Sequence, residues 1–326
     1  MGIHYLLPKE GQFYKANLHC HSTVSDGRLT VEELKKAYKE HGYQIIAYSD
    51  HNQLVPHNEL ADDDFLPITA IEIDFNCADT VKYPKGWPQA PVYHLNFFSK
   101  DKDRTSFIPF ERVYDAQNIQ EIIDRANADG FLVQYNHPRW SYQTAADFEN
   151  LKGLFGFEVY NHGCEVEMHD GWGEYEYEHF SRNGGRAAAV ATDDNHMGCM
   201  DFSSPRCDCF GGYTMIKAPA LTYEDIIGAM ERKECYASTG AEIKELTLSD
   251  REDGQFVRLH IECSPCCSVA VLTDTRHTCI IRSHEDDITS FDAELPANYV
   301  SFRVECMNKN HEKALSRAYF RDEIES

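Results

Sequence analysis

The chain has 326 residues, 42% of them apolar and 26% charged, with 18 Phe and 18 Tyr, which excludes a disordered or fibrous chain and suggests one large domain plus a smaller one. Thirty-one Lys and Arg stand against 54 Asp and Glu, a formal net charge of −23, so the surface repels polyphosphate backbones and long nucleic acid is not an expected partner. No run approaches the roughly 20 apolar residues of a membrane span, no basic flank precedes an apolar run at the start, and 12 scattered cysteines suit reduced thiols; a cytoplasmic protein without membrane association is expected.

Short β-like runs followed by helical periodicity recur along the chain, and many of these runs end in imidazole or carboxylate residues. Residues 15–18 end at His19. A helix then starts at Thr30, with Glu33 completing a capping box, and stops at Gly42. The buried run 43–48 ends at Asp50-His51, the run 66–71 ends at Glu72, and 92–98 carries His94. A helix over 119–128 leads through Gly130 into 131–135, which ends at Asn136-His137-Pro138. Runs 157–160 and 187–191 follow, the second entering Asp193-Asp194-Asn195-His196. Alternating strands and helices imply a parallel sheet, and about seven units suit a closed barrel whose strand ends converge on one mouth. Beyond Gly240 the runs 243–248, 256–263, 269–273, 290–295 and 299–306 lack helical intervals. Their period-two alternation predicts a small antiparallel β-sandwich, which divides the chain into residues 1–240 and 241–326.

His19-x-His21 places two imidazoles on one side of an extended segment, a geometry that can chelate a metal. Singly, each residue also has an ordinary reading: His94 as a hydrogen-bonded core histidine, Glu72 as a solvated acid, His137 as a turn residue before Pro138. Jointly, His19, His21, Asp26, His51, Glu72, His94, His137, Asp194 and His196 would gather repelling acids and desolvated imidazoles in one mouth unless cations were present. Mixed imidazole and carboxylate suits zinc, manganese or iron, and so many ligands exceed one coordination shell, implying two or three ions with Glu72 able to bridge a pair.

These motifs resemble the PHP (polymerase and histidinol phosphatase) domain family of metal-dependent phosphoesterases. His19-Cys20-His21-Ser22-x-x-Ser25-Asp26-Gly27 looks like the first motif, Ser49-Asp50-His51 the second and Ile71-Glu72-Ile73 the third. Tyr93-His94-Leu95, Asn136-His137-Pro138 and Asp194-Asn195-His196 look like the later ones, so the resemblance covers residues 14–240. It implies a distorted seven-stranded βα barrel. By the same resemblance, His19, His21, Glu72 and Asp194 hold one ion, Glu72, His94 and His137 a second, and Asp26, His51 and His196 a third. Some members have histidine where Asp26 stands; a carboxylate there points to the small-molecule phosphoesterase branch. His51 rather than Asp50 is favoured as a ligand, and Asp193 is expected to support the site from behind.

The expected activity is hydrolysis of a small phosphate mono- or diester, of the nucleotide or sugar phosphate class. A shared water whose pKa falls from about 15.7 towards about 7 would supply hydroxide, with Asp194 or His196 exchanging a proton. Arg139 and Arg206 are the basic candidates for holding phosphate, against the ordinary reading of exposed surface arginines. His162 is a candidate for the pocket wall, and Trp140 for stacking on the substrate. Two other readings compete: a metal-dependent hydrolase of carbon–nitrogen bonds like the amidohydrolases, and a noncatalytic metal-bound interaction module. Cys207-Asp208-Cys209 and Cys266-Cys267 read as ordinary thiols. The second region offers no catalytic constellation, leaving packing, oligomerisation or substrate gating as its role.

Overall fold

A computed structural model of the chain describes residues 2–76, 91–250, 254–276 and 278–324. Its first part contains β1 (Ile3–Tyr5), β2 (Gln12–Cys20), β3 (Ile45–Tyr48), β4 (Leu66–Asn76), β5 (Val92–Ser99), β6 (Phe131–Tyr135), β7 (Gly156–Asn161), β8 (Ala188–Thr192), β9 (Tyr213–Ala218) and β10 (Cys235–Ser238). The main helices are α1 (Val31–Glu40), α2 (Ala116–Ala128), α3 (Ala145–Phe148), α4 (His162–Met168), α5 (Glu174–Arg182) and α6 (Tyr223–Glu231). Every residue of β3, β6, β7 and β8 is buried, as continuous apolar runs covered on both faces should be. Thr30 Oγ1 accepts from the Glu33 amide at 3.3 Å while Glu33 Oε2 accepts from the Thr30 amide at 2.9 Å, so the capping box starts α1 as expected.

Strands β2 to β8 lie side by side in chain order, with β9 and then β10 continuing outward from β2. The pairs β2–β3–β4 and β6–β7–β8 are parallel, but β5 runs antiparallel to both β4 and β6. That corrects the all-parallel expectation. An apolar run looks the same whichever way the strand points, so periodicity carries no direction. The reversal puts the start of β5, where His94 lies, level with the ends of its neighbours. At that same end β8 meets β2 through individual bonds rather than a ladder: the Asp194 amide donates to His19 O at 2.9 Å and the His21 amide to Asn195 O at 3.2 Å.

The remainder is β-rich. It comprises β11 (Ile243–Asp250), β12 (Phe256–Cys266), β13 (Ser268–Thr273), β14 (Thr278–Arg282), β15 (Ile288–Pro296), β16 (Ser301–Met307), β17 (Lys313–Ser316) and β18 (Tyr319–Phe320). One antiparallel sheet has the order β1-β11-β12-β15, so the first strand of the chain completes a sheet made otherwise of late ones. The strands β14-β13-β16-β17 form a second layer that continues through β17–β10 into the large sheet. Leu246, Leu248, Leu259 and Ile261 from one layer share a core with Val269, Val271, Val304 and Cys306 from the other. No described helix is long and apolar enough to cross a membrane.

Candidate metal centre

Strand direction determines what reaches the mouth. His19 is the penultimate residue of β2, His21 and His51 lie just past β2 and β3, and His137, Asp194 and His196 follow β6 and β8. Glu72 departs from the expectation that it closes its strand, because β4 continues to Asn76 and Glu72 lies within it. Its side chain is 1% exposed and sits among five imidazoles. Glu72 Oε1 lies 2.9 Å from His94 Nδ1, 3.2 Å from His19 Nε2 and 3.6 Å from His137 Nε2; Oε2 lies 3.2 Å from His21 Nε2 and 3.1 Å from His51 Nδ1. Asp194 Oδ1 is 3.1 Å from His19 Nε2 and 3.0 Å from His21 Nε2. Asp26 Oδ1 is 3.4 Å from His196 Nε2 and Oδ2 is 3.8 Å from His51 Nε2.

The side chains therefore fall into three overlapping groups able to hold a cation: His19, His21, Glu72 and Asp194; Glu72, His94 and His137; His21, Asp26, His51 and His196. Donor atoms bound at about 2.0–2.2 Å to one ion stand roughly 3 Å apart, the spacing seen here. Four of these atoms, His19 Nε2, both ring nitrogens of His21 and Glu72 Oε2, are buried without a hydrogen-bond partner. Natural interiors rarely leave such atoms orphaned, so the donor set fits metal ions at this point.

The electrostatics agree. Burial opposes ionisation of each group, but the mutual attraction outweighs it: Asp194, Glu72 and Glu158 hold His19 well above the ordinary histidine range. Against the same burial penalty, the surrounding imidazoles hold Glu72 and Asp194 well below the carboxylate range. Cations would supply the positive charge that protons otherwise must.

Support comes from residues behind the cluster. Glu158, buried in β7, was not singled out in the sequence; its Oε1 lies 2.8 Å from His19 Nδ1, which turns Nε2 toward the cluster. Thr192 Oγ1 and Gln134 Nε2 donate to the same oxygen at 2.7 and 3.1 Å, and the His137 amide donates to Oε2 at 2.8 Å. The available signal was an acid inside an apolar run, which must find partners when buried. We expect Glu158→Gln to lower metal affinity by about 10- to 100-fold with the fold intact, checked by metal titration and far-UV circular dichroism; unchanged affinity would refute this role.

Asp50 faces away from the cluster. It accepts from the amide and hydroxyl of Ser22, both at 2.8 Å, and from those of Ser25 at 3.1 and 2.7 Å. Asp193 accepts from the Tyr38 hydroxyl at 2.8 Å and the amides of Phe210, Gly211 and Gly212 at 2.7–2.9 Å, tying the loop that follows the mouth. His137 and Asp194 adopt left-handed backbone angles, φ 21° and 51°, a conformation unfavourable for side chains other than glycine and one that tends to collect at functional sites. Gly27 brings the loop bearing Asp26 against His21, since a Cβ there would lie 2.3 Å from His21 O. Gly27→Ala should displace Asp26 and lower occupancy of its group, while the group around Asp194 stays filled; metal counting by elemental analysis distinguishes the two.

The mouth opens into a cavity of about 530 Å³ lined by Trp140, Glu167, Cys199, Arg206 and Asp208 besides the candidate ligands. Of the basic candidates, Arg206 lines it. Arg139 does not: its Nε lies 3.1 Å from Asp170 Oδ1 and its side chain is largely exposed. His162 is also outside the lining, with Nδ1 2.9 Å from the Tyr160 hydroxyl and its ring tight against Gly211. A turn residue's side-chain direction is set by its neighbours in space, which spacing along the chain does not reveal. Trp140 stands over His94 and His137, ring centroids 5.7 and 5.1 Å away, and its Nε1 donates to Glu167 Oε2 at 3.2 Å. Cys207 and Cys209 are buried, and all described cysteines are free thiols.

A seven-strand array carrying imidazoles and carboxylates at one end defines an α/β protein whose clustered side chains could hold cations. Residues 17–179, half of the chain, match the PHP domain, and the chain belongs to that family. A solved structure from Bacteroides vulgatus ATCC 8482, described as a two-domain protein containing a predicted PHP-like metal-dependent phosphoesterase, aligns with a TM-score of 0.46 at 15% identity over 97% of this chain and 98% of that one. No curated protein matches.

Proposed function

We propose that this chain is a metal-dependent phosphoesterase that hydrolyses a small phosphate mono- or diester, of the nucleotide or sugar phosphate class, using two or three zinc, manganese or iron ions. The observation that carries this reading is the set of orphaned donor atoms on His19, His21 and Glu72, buried within the overlapping groups of imidazoles and carboxylates at the mouth. In it, His19, His21, Asp26, His51, Glu72, His94, His137, Asp194 and His196 are the metal ligands. When bound, such ions polarise phosphoryl oxygens and lower the pKa of water towards neutrality. Asp194 and His196 are the candidates for moving a proton; His196 lines the cavity and is 36% exposed, so it can reach both substrate and solvent. Arg206 offers a guanidinium to the phosphate, and Trp140 a flat wall to the rest of the substrate.

Residues 1–240 carry this chemistry and 241–326 form a β-sandwich that supports it, in a cytoplasmic protein acting on a small phosphorylated substrate. The amidohydrolase reading finds no support, because no lysine is among the described residues lining the cavity and Glu72 occupies the shared position. The test is phosphate release from a panel of mono- and diesters by protein loaded with manganese or zinc. Release from at least one ester that chelation abolishes is expected. A full metal complement with no release from any ester would replace this reading with the noncatalytic one.

A further inference from the structure

A second cavity, of about 640 Å³, lies at the opposite end of the strands. Lys100 follows the end of the reversed β5, Leu132 is the second residue of β6, Phe155 immediately precedes β7 and Arg186 precedes β8, all at the ends remote from the candidate metal ligands. In a chain of net charge −23 this cavity is lined by four cations, Lys100, Lys152, Arg186 and Lys233, and by one acid, Glu231. The acid is already engaged, with Oε1 2.5 Å from Lys100 Nζ, and Arg186 is paired with Asp322 at 2.7 Å and Glu323 at 3.2 Å. Lys152 and Lys233 remain: among the described residues neither ammonium group forms an ion pair or hydrogen bond.

Lys233 carries a second, independent peculiarity. It sits just past the end of α6 with φ 59°, its amide donating to Met230 O at 2.9 Å and the next amide, of Glu234, to Ala229 O at 2.9 Å. That is the helix-ending turn whose left-handed residue is usually glycine, because a Cβ is unfavourable there. Attraction to the helix's terminal carbonyls favours a cation near this place, but an exposed one would serve equally. Here the side chain is instead half-buried in the cavity. The backbone at Lys152 is fixed as well, its amide donating to Gln120 Oε1 at 2.8 Å and its carbonyl accepting from Gln120 Nε2 at 3.2 Å.

We infer that this cavity binds a small phosphorylated molecule through its phosphate, held between Lys152 and Lys233. Ammonium groups act on phosphate as point charges, and two of them without partners at one cavity suit a dianion. This second site is independent of the proposed hydrolytic reading.

The probe is phenylphosphonate, whose carbon–phosphorus bond a phosphoesterase leaves intact. With the metal-loaded full chain, lysine acetylation read by mass spectrometry should show Lys152 and Lys233 protected at least about fivefold at saturation, with exposed Lys36 unchanged. Calorimetry should resolve a binding event that Arg206→Met leaves intact and that Lys152→Met and Lys233→Gly each weaken about tenfold or more. Lys233→Gly guards against a folding artefact, because relief of the left-handed lysine should hold or raise Tm while binding falls. No protection at the two lysines, or equal affinity in both variants, overturns the site; loss of binding accompanied by a fall in Tm for Lys233→Gly shows a structural lysine and overturns it too. Failure of ester hydrolysis alone would leave these readouts unaffected.

Discussion

Glu72→Gln is expected to lower kcat/KM for ester hydrolysis by on the order of 10³-fold, about 4 kcal/mol of lost transition-state stabilisation. The two oxygens of Glu72 lie within 3.2 Å of ring nitrogens from His19, His21, His51 and His94. Asn136 Nδ2 donates to Oε1 at 2.9 Å and sets the plane of the carboxylate. Glutamine keeps the shape and removes the charge. It also presents an NH₂ where an oxygen would serve as a ligand, so the two groups sharing Glu72 lose affinity together. Elemental analysis should therefore show fewer ions per chain in parallel with the kinetic loss. Activity within about threefold of the parent, with full metal content, would show that Glu72 is not the shared ligand.

Removing metal with a chelator should lower Tm by on the order of 6 °C, reversed by adding manganese or zinc. By mass action, an ion present at about a thousand times its Kd stabilises the native state by about 4 kcal/mol, and at about 2.1 cal/mol/K of unfolding entropy per residue each kcal/mol moves Tm by roughly 1.5 °C in a chain of 326 residues. Without cations the interior must keep His19, His21, Glu72 and Asp194 together, all buried or nearly so, with several polar atoms unpaired. The ends of β2 and β8, joined by the Asp194–His19 and His21–Asn195 backbone bonds, should loosen first, visible as faster amide exchange there on chelation. A Tm indifferent to chelation, in protein shown by elemental analysis to have lost its metal, would mean that the cluster is stable as a proton-sharing network.

Much of this architecture was present in the order of the residues. Continuous apolar runs marked the strands because strands covered on both faces carry apolar side chains throughout, and Thr30 with Glu33 marked a helix start because both act on amides within one turn. His19-x-His21 and Asp194-x-His196 stood out because ligand types two residues apart recur just where such runs stop. Local chemistry was enough for each. The match to the PHP domain, residues 17–179, takes in His19-x-His21 but ends before Asp194-x-His196.

What tertiary structure alone decided depends on groups far apart along the chain. The reversal of β5 places His94 beside Glu72 although it lies at the start of its strand, and hydrophobic periodicity is blind to direction. Glu158 became visible only when folding set it 2.8 Å from His19, 139 positions away. Arg139 turned to Asp170 while Arg206 reached the cavity, a choice made by neighbours in space. The sequence by itself determined which side chains could bind cations and which segments could be strands, because those properties belong to single residues and short periods. Which nitrogen faces which oxygen, and which lysine is left without a partner, was settled only by packing, because hydrogen bonds and Coulomb forces act over a few ångströms whatever the distance along the chain.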